Sequence, residues 1–333
     1  MMTSSTKDAV LVVGGAGYIG SHMAKMLAQA GFGVVILDNL STGFSDAAHY
    51  GDLIRGDLFN QALLDRLFHE HAFVAVLHFA ALSQVGESVR APAQYYRNNM
   101  ANTQNLLDAM HRHDVRRVIF SSSAAIFGES EYTPIDEMHP LRPTNPYGRS
   151  KRMVEEMLAD YDHAYGLRSV SLRYFNAAGA DPGGELGERH DPESHLIPLI
   201  LQAASGRRRH ISVFGNDYAT DDGTCIRDYI HVWDLCQAHL LAVQHLLGGG
   251  KSLALNLGNG QGFSVQQVID GARRVTGRDI VVRHEARRAG DPAVLVADST
   301  QARALLGWQP QYADLDTILR HAWEWEQQKG SRW

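Results

Sequence analysis

Ala9-Val10-Leu11-Val12-Val13-Gly14-Gly15-Ala16-Gly17-Tyr18-Ile19-Gly20 is the stretch that decides the fold of this chain. A short, β-branched apolar run ends directly in glycines, and residues 18–30 continue with helical periodicity and close on Gly31. That order predicts a strand, a tight turn and a helix. The glycines satisfy two frames, Gly14-x-x-Gly17-x-x-Gly20 and Gly15-x-Gly17-x-x-Gly20. Either lets the backbone approach a pyrophosphate at the positive end of a helix. A glycine cluster alone is weak evidence. Here Gly33-Val34-Val35-Ile36-Leu37-Asp38 follows as a second buried strand. It ends in an acid roughly 20 residues from the glycines, the distance at which a carboxylate accepts hydrogen bonds from an adenosine ribose. A carboxylate at Asp38 repels a ribose 2′-phosphate, and Asn39-Leu40-Ser41-Thr42 supplies no arginine to receive one, so NAD is expected rather than NADP.

The alternation then repeats. Gly56-Asp57-Leu58 follows a short strand, residues 63–69 are helical, and Val74-Ala75-Val76-Leu77-His78-Phe79 reads as a strand running into Ala80-Ala81. A long helix near 101–113, a strand over 117–120 and a helix over 147–165 complete the series. Strands alternating with helices predict a parallel, doubly wound sheet, in which ligands sit at the carboxyl ends of the strands. Gly14 to Gly20, Asp38, Asp57, Phe79 to Ala81 and Ser121 to Ser123 all fall at such ends. The chain is therefore expected to be an α/β protein with a Rossmann-type NAD-binding domain mainly over 9–176. From about Ala177 the alternation becomes irregular, so a smaller α/β substrate-binding lobe is expected mainly over 177–330, with some segments returning to the large domain.

On the last of these helices, Tyr147 and Lys151 stand four residues apart in Pro146-Tyr147-Gly148-Arg149-Ser150-Lys151. Residues at i and i+4 share a helix face, so a phenol and an ammonium converge on the same atoms. A free tyrosine has a pKa near 10. It works as a base at neutral pH only where nearby positive charge favours the phenolate, which Lys151 and an oxidised nicotinamide would supply.

Composition excludes several alternatives. With 44% hydrophobic and 20% charged residues in 333, the chain buries an ordinary core. A net charge of −6 gives no general attraction for nucleic acid or anionic membrane. Arg207-Arg208-Arg209 is read as a solvated helix end, and Gly248-Gly249-Gly250 as a surface loop. Cys225 and Cys236 fit neither a metal pair nor a disulfide framework, the histidines show no ligand spacing, and no metal is expected. Both cysteines are read as reduced, so a cytoplasmic protein is expected, and the polar start through Asp8, which lacks a signal-peptide core, gives no reason to expect a membrane protein.

Taken together, the residues resemble the extended short-chain dehydrogenase/reductase superfamily and, within it, the UDP-glucose (UDP-galactose) 4-epimerases, from about Val10 to about Trp325. Besides the glycine turn and Tyr147-x-x-x-Lys151, the resemblance rests on Val85-Gly86-Glu87-Ser88-Val89, Arg173-Tyr174-Phe175-Asn176 and Phe214-Gly215-Asn216-Asp217-Tyr218. It also rests on Arg227-Asp228-Tyr229-Ile230-His231-Val232 and Arg287-Arg288-Ala289-Gly290-Asp291. The resemblance implies Tyr147 as acid/base, Lys151 as the residue that holds the nicotinamide ribose, and Ser123 as a hydrogen-bond partner of the sugar 4-hydroxyl. It implies NAD contacts at Gly14, Gly17, Tyr18, Ile19, Gly20, Asp38, Asn39, Asp57, Leu58, Phe79, Ala80, Ala81, Asn98, Tyr147, Lys151 and Phe175. A UDP-hexose would be held by Asn176, His195, Arg227, Arg288 and Asp291, with Leu295 at the position whose bulk is linked to acceptance of N-acetylated sugars. Arginine suits a diphosphate through bidentate bonding, although Arg227 and Arg288 have acids nearby, Asp228 and Asp291, that offer structural ion pairs instead.

The implied reaction is an NAD-dependent, redox-neutral inversion at C4 through a 4-keto sugar, in a homodimer joined through the helices near 101–113 and 147–165. Relatives differ at Ser83, where some carry lysine, at Phe127, where tyrosine is usual, and at His195, where many carry asparagine. UDP-N-acetylglucosamine and UDP-pentose epimerases are the first alternatives. A nucleotide-sugar dehydratase needs a further acid/base pair beside the catalytic serine, and Ala124-Ala125 supplies none. A non-catalytic NAD sensor is the remaining alternative, since fold alone does not specify function.

Overall fold

The computed structural model describes residues 8–288 and 291–332. Residues 1–7, Ala289 and Gly290, which belong to the polar start and to the last motif, lie outside the described residues. In chain order the first part comprises β1 (Ala9–Val13), α1 (Tyr18–Gln29), β2 (Gly33–Asp38), β3 (Asp52–Arg55), α2 (Gln61–Glu70) and β4 (Phe73–His78). It continues with α3 (Val85–Arg90), α4 (Pro92–Tyr95), α5 (Asn102–Arg112), β5 (Arg117–Ser121), α6 (Pro146–Tyr165) and β6 (Arg168–Tyr174). A seventh strand, Leu253–Leu257, lies beside β6, and the sheet then runs β6-β5-β4-β1-β2-β3. The pairings of β1 with β2 and β4, of β2 with β3, and of β5 with β4 and β6 are parallel. This is the doubly wound order, with the strand order reversing at β1 and β4.

Burial explains why these strands read as continuous apolar runs. Leu11 and Val13 of β1 join a core with Leu64, Leu67, Leu106, Leu107, Val154 and Leu158, so α2, α5 and α6 cover that face. Val10 and Val12 point to the opposite face and are also 0% exposed, while α1 packs on β1 and β2. A strand buried on both faces loses the alternation of a half-exposed one.

Helix α6 carries clear end signals. The Asn145 side chain accepts the Gly148 N–H at 2.9 Å, Pro146 occupies the first turn, and Gly166 closes the helix at φ 67°. An N-cap of this kind contributes about 1 kcal/mol. A π-helical turn, Tyr96–Ala101, leads into α5, which itself covers the helix expected near 101–113.

The chain divides into two compact units: residues 1–128, 141–173 and 236–255 form one, and residues 129–140, 174–235 and 256–333 the other. In the second, strand Ile226–His231 pairs in parallel with Asn176–Ala178 and Val294–Leu295 and antiparallel with Gly262–Ser264. A parallel pair, Ile211–Phe214 with Val282–Glu285, stands apart from it. Helices Leu196–Ala204, Val265–Thr276 and Leu315–Arg332 contribute Ile200, Leu201, Val268, Ile269, Ile318 and Leu319 to its core. Arg207, Arg208 and Arg209 are exposed just beyond the end of helix Leu196–Ala204, and Arg207 also pairs through Nη2 with the buried Glu326 carboxylate at 2.5 Å.

Candidate active site

In the first unit the glycine turn is shaped by two tight approaches. Gly14 has φ +82°, and a Cβ there would stand 2.6 Å from the Ala80 nitrogen; one on Gly20 would stand 2.1 Å from the Gly14 carbonyl oxygen. Gly17 is different. A Cβ there would meet nothing nearer than the Gly14 oxygen at 3.4 Å, so packing within the chain does not demand glycine at this position. Gly17 caps α1 without a side-chain cap, and no acid stands in the first helical turn. The N–H groups of a helix's first turn lack intrahelical acceptors and suit an anion, which fits the pyrophosphate of a dinucleotide.

The ends of β2 and β3 supply the acids. Asp38 is 8% exposed; its carboxylate accepts the Ala16 N–H at 2.9 Å and the Leu40 N–H at 2.8 Å. Each oxygen keeps a further lone pair for a ribose hydroxyl. Asn39 donates to Asp57 at 2.7 Å, and buried Leu58 follows. At the end of β4 the Phe79 and Ala80 N–H groups bond the Val13 carbonyl, which brings residues 79–81 beside the glycine turn. The strand ends carrying Gly14 to Gly20, Asp38, Asp57, Phe79 to Ala81 and Ser123 belong to five adjacent strands, β3, β2, β1, β4 and β5. The residues present therefore fit NAD.

At the end of β5 the chemistry gathers. Lys151, 3% exposed, donates its Nζ to the Ser121 carbonyl at 2.6 Å and lies 4.7 Å from the Phe120 ring centroid and 6.0 Å from that of Tyr147. Burial lowers the ammonium to about 7, against the pull of Glu155. Burial raises the Tyr147 phenol, while a hydrogen bond with Ser123 works the other way. A serine hydroxyl, a phenol and an ammonium of near-neutral pKa make up a proton-transfer group.

Sequence reasoning missed several supports of this group. Asn99, 3% exposed, accepts the Leu82 N–H and donates to the Leu82 carbonyl, each at 2.9 Å, and donates to the Ser150 hydroxyl at 3.1 Å. It thereby ties the loop after β4 to α6, and Asn98 donates to its oxygen at 3.0 Å. Glu155 accepts the Ser122 hydroxyl at 2.5 Å and Arg173 Nη2 at 2.6 Å. The available signal for Glu155 was its place four residues beyond Lys151. Phe127 is fully buried beneath the Arg173 guanidinium, and Ser83 is exposed.

Phe175 and the substrate candidates belong to the second unit. Arg227 pairs with Asp291 and donates Nη1 to the Ile226 carbonyl at 2.8 Å, and Leu295 sits opposite Arg227 in the strand pairing. Arg288 lies 3.9 Å over the Phe214 ring. Asn176 donates to the Asp228 carbonyl at 3.0 Å, and Asp228, 0% exposed, accepts the N–H groups of Asn259, Gly260 and Ala297. His195 caps helix Leu196–Ala204 and pairs with buried Glu188. The structure thus brings Asn176, Arg227, Asp291 and Leu295 to one strand cluster, with His195 held by a separate acid.

That acid is part of a group with no visible spacing in the sequence. Glu188, His190, Glu193 and His195 bring one ligand atom each within 4.8 Å of one another. Burial works against charge on His190, but Glu188 and Glu193 raise it to about 10. Burial likewise opposes charge on Glu188, yet His195 and His190 lower it to about 2. Glu188 pairs with both His190 and His195, and His190 also with Glu193, so two acids and two bases share one network.

The profile of the NAD dependent epimerase/dehydratase family matches residues 10–258, and the chain belongs to this family. It is 54% identical to a UDP-glucose 4-epimerase of Streptomyces lividans over 95% of each chain. It is 52% identical to that of Halalkalibacterium halodurans over 96% of each. The crystal structure of the UDP-glucose 4-epimerase from Brucella ovis in complex with NAD superposes with a TM-score of 0.93, at 55% identity, over 95% of this chain and 97% of that one.

Proposed function

We propose that this chain is an isomerase that interconverts UDP-glucose and UDP-galactose, with NAD retained through the cycle. The observation that carries the reading is the Ser123–Tyr147–Lys151 group at the end of β5, on a sheet whose adjacent strand ends form a dinucleotide cradle. Tyr147 takes the proton of the sugar 4-hydroxyl and later returns it. Ser123 hydrogen-bonds that hydroxyl, and Lys151 holds the nicotinamide ribose and favours the phenolate. Bound NAD supplies the acceptor for the C4 hydride and the means to give it back. Loss of the O–H proton and the C4 hydride leaves a ketone at C4; return of both, with the hydride on the opposite face, inverts that centre.

In the second unit Arg227 and Arg288 take the diphosphate, with Asn176, His195 and Asp291 completing the nucleotide contacts and Leu295 limiting the sugar. Arg227 keeps guanidinium donors beyond those given to Asp291 and the Ile226 carbonyl. A dehydratase is disfavoured because Ala124–Ile126, the short turn after Ser123, offers no second acid or base. The protein works as a cytoplasmic homodimer through α5 and α6, where Met153 and Tyr165 are exposed. Among the described residues no helix is long and apolar enough to cross a membrane. Tyr147→Phe tests the reading. The variant should keep its NAD and lose at least about 100-fold in kcat; turnover at the wild-type rate would refute the assignment.

A further inference from the structure

Behind the proton-transfer group lies a second buried constellation that the mechanism does not use. Glu155 sits one helical turn beyond Lys151, its side chain 9% exposed. Its carboxylate receives Arg173 Nη2 at 2.6 Å, Arg173 Nε at 3.1 and 3.2 Å, and the Ser122 hydroxyl at 2.5 Å. Ser122 is 1% exposed and its N–H is bonded to the Leu172 carbonyl, so this serine is fixed to β6 as well as to α6. On either side of it stand the two residues that hold the working groups. The Ser121 carbonyl accepts the Lys151 ammonium, and the Ser123 hydroxyl bonds the Tyr147 phenol.

We propose that Glu155 is a positioning residue for epimerisation: through Ser122 and Arg173 it sets the end of β5 against Tyr147 and Lys151, and its carboxylate supplies the negative charge facing Lys151. The proposal rests on the assignment of Tyr147 and Lys151 given above. Among the described residues, Glu155 is the anion that acts on Lys151. On α6 it faces Tyr147 and Glu155, and on β5 the Ser121 carbonyl and the Phe120 ring. On β4 it faces His78, which is bonded to Thr103 at 2.8 Å and pushed down to about 3 by burial and by Lys151 itself, hence neutral. Arg173 on β6 is the cation paired with the Glu155 carboxylate, Nη2 to Oε2 at 2.6 Å.

The sign of the effect follows from charge. Burial lowers Lys151 and Glu155 opposes that fall. Glu155→Gln removes the opposing charge and leaves Arg173 unpaired, so Lys151 loses its proton at lower pH and Tyr147 loses the cation that favours its phenolate. The alkaline limb of the kcat–pH profile should therefore move down by about one pH unit. Glu155→Asp retains the charge and should leave the limb in place even if kcat falls. The double variant E155Q/R173M removes both buried charges, which guards against misfolding from an unpaired arginine, and should move the limb in the same direction by less.

The experiment measures kcat with UDP-galactose from about pH 6 to about pH 10 on the NAD-containing wild type, the three variants and Tyr147→Phe. A lowered limb in both charge-removing proteins but not in Glu155→Asp is the expected result. If Glu155→Gln does not fold, the double variant and Glu155→Asp decide. A limb that stays at the wild-type pH in every charge-removing variant that folds overturns the proposal. Undiminished turnover in Tyr147→Phe would instead remove the assignment on which it rests.

Discussion

The Asp38 carboxylate accepts the backbone N–H of Ala16 at 2.9 Å, tying the last residue of β2 to the turn between β1 and α1. One acid thus shapes the turn and presents its remaining lone pairs at the cofactor cradle. Asp38→Asn removes the charge and turns one acceptor into a donor. Retention of NAD should weaken by about tenfold or more, the loss expected for one charge-assisted hydrogen bond. The NAD content of protein washed by gel filtration checks this, and wild-type content in the variant would count against it.

Asp228 organises the second unit by a similar device. Its buried carboxylate collects three backbone N–H groups at 2.8, 3.0 and 3.2 Å, from segments reached only in the folded chain. Asp228→Asn leaves at least one of those donors facing an amide hydrogen, which should cost about 2 kcal/mol or more of stability. Denaturant unfolding gives the value, and an unchanged midpoint would show that the three bonds contribute nothing net.

The Glu188 cluster gives a pH dependence. The lowered Glu188 contributes stability that is full above its ordinary 4.5 and is lost as pH falls toward 2. The raised His190 contributes stability that is full below its ordinary 6.5 and is lost as pH rises through about 10. Their joint contribution is greatest between 4.5 and 6.5. Glu188→Gln should therefore lower Tm most at about pH 5.5 and distinctly less at about pH 9.5. An equal loss at both values would contradict the pairing.

Leu295 pairs with Arg227 at the edge of the strand cluster. If its bulk limits the sugar, Leu295→Ala should raise kcat/KM for UDP-N-acetylglucosamine relative to UDP-glucose by roughly tenfold, the effect of a few methylenes of room. A ratio that does not move assigns the limit to another residue.

Much of the sheet was legible because its signals are local. The runs 9–13 and 33–38 are buried on both faces and read as strands without help from the rest of the chain, and their carboxyl ends carry Gly14 and Asp38. Tyr147 and Lys151 needed only helical spacing. The supports of the site needed the fold. Glu155 meets Ser122 and Arg173 only when α6 packs beside β5 and β6, and Arg207 finds Glu326 across 119 positions. Asn99 falls in a π-helical turn, whose wider winding has no periodic signature in the sequence. Glu188 and its histidines lie in a loop, where neither helical nor strand periodicity says which side chains face one another.

The most direct test is to incubate the purified protein with UDP-galactose, without added NAD, and follow the C4 configuration by NMR. Inversion to a mixture of UDP-glucose and UDP-galactose, with no net NADH formed, is the result predicted for an epimerase that keeps its cofactor. Absence of inversion even after NAD is supplied would contradict it.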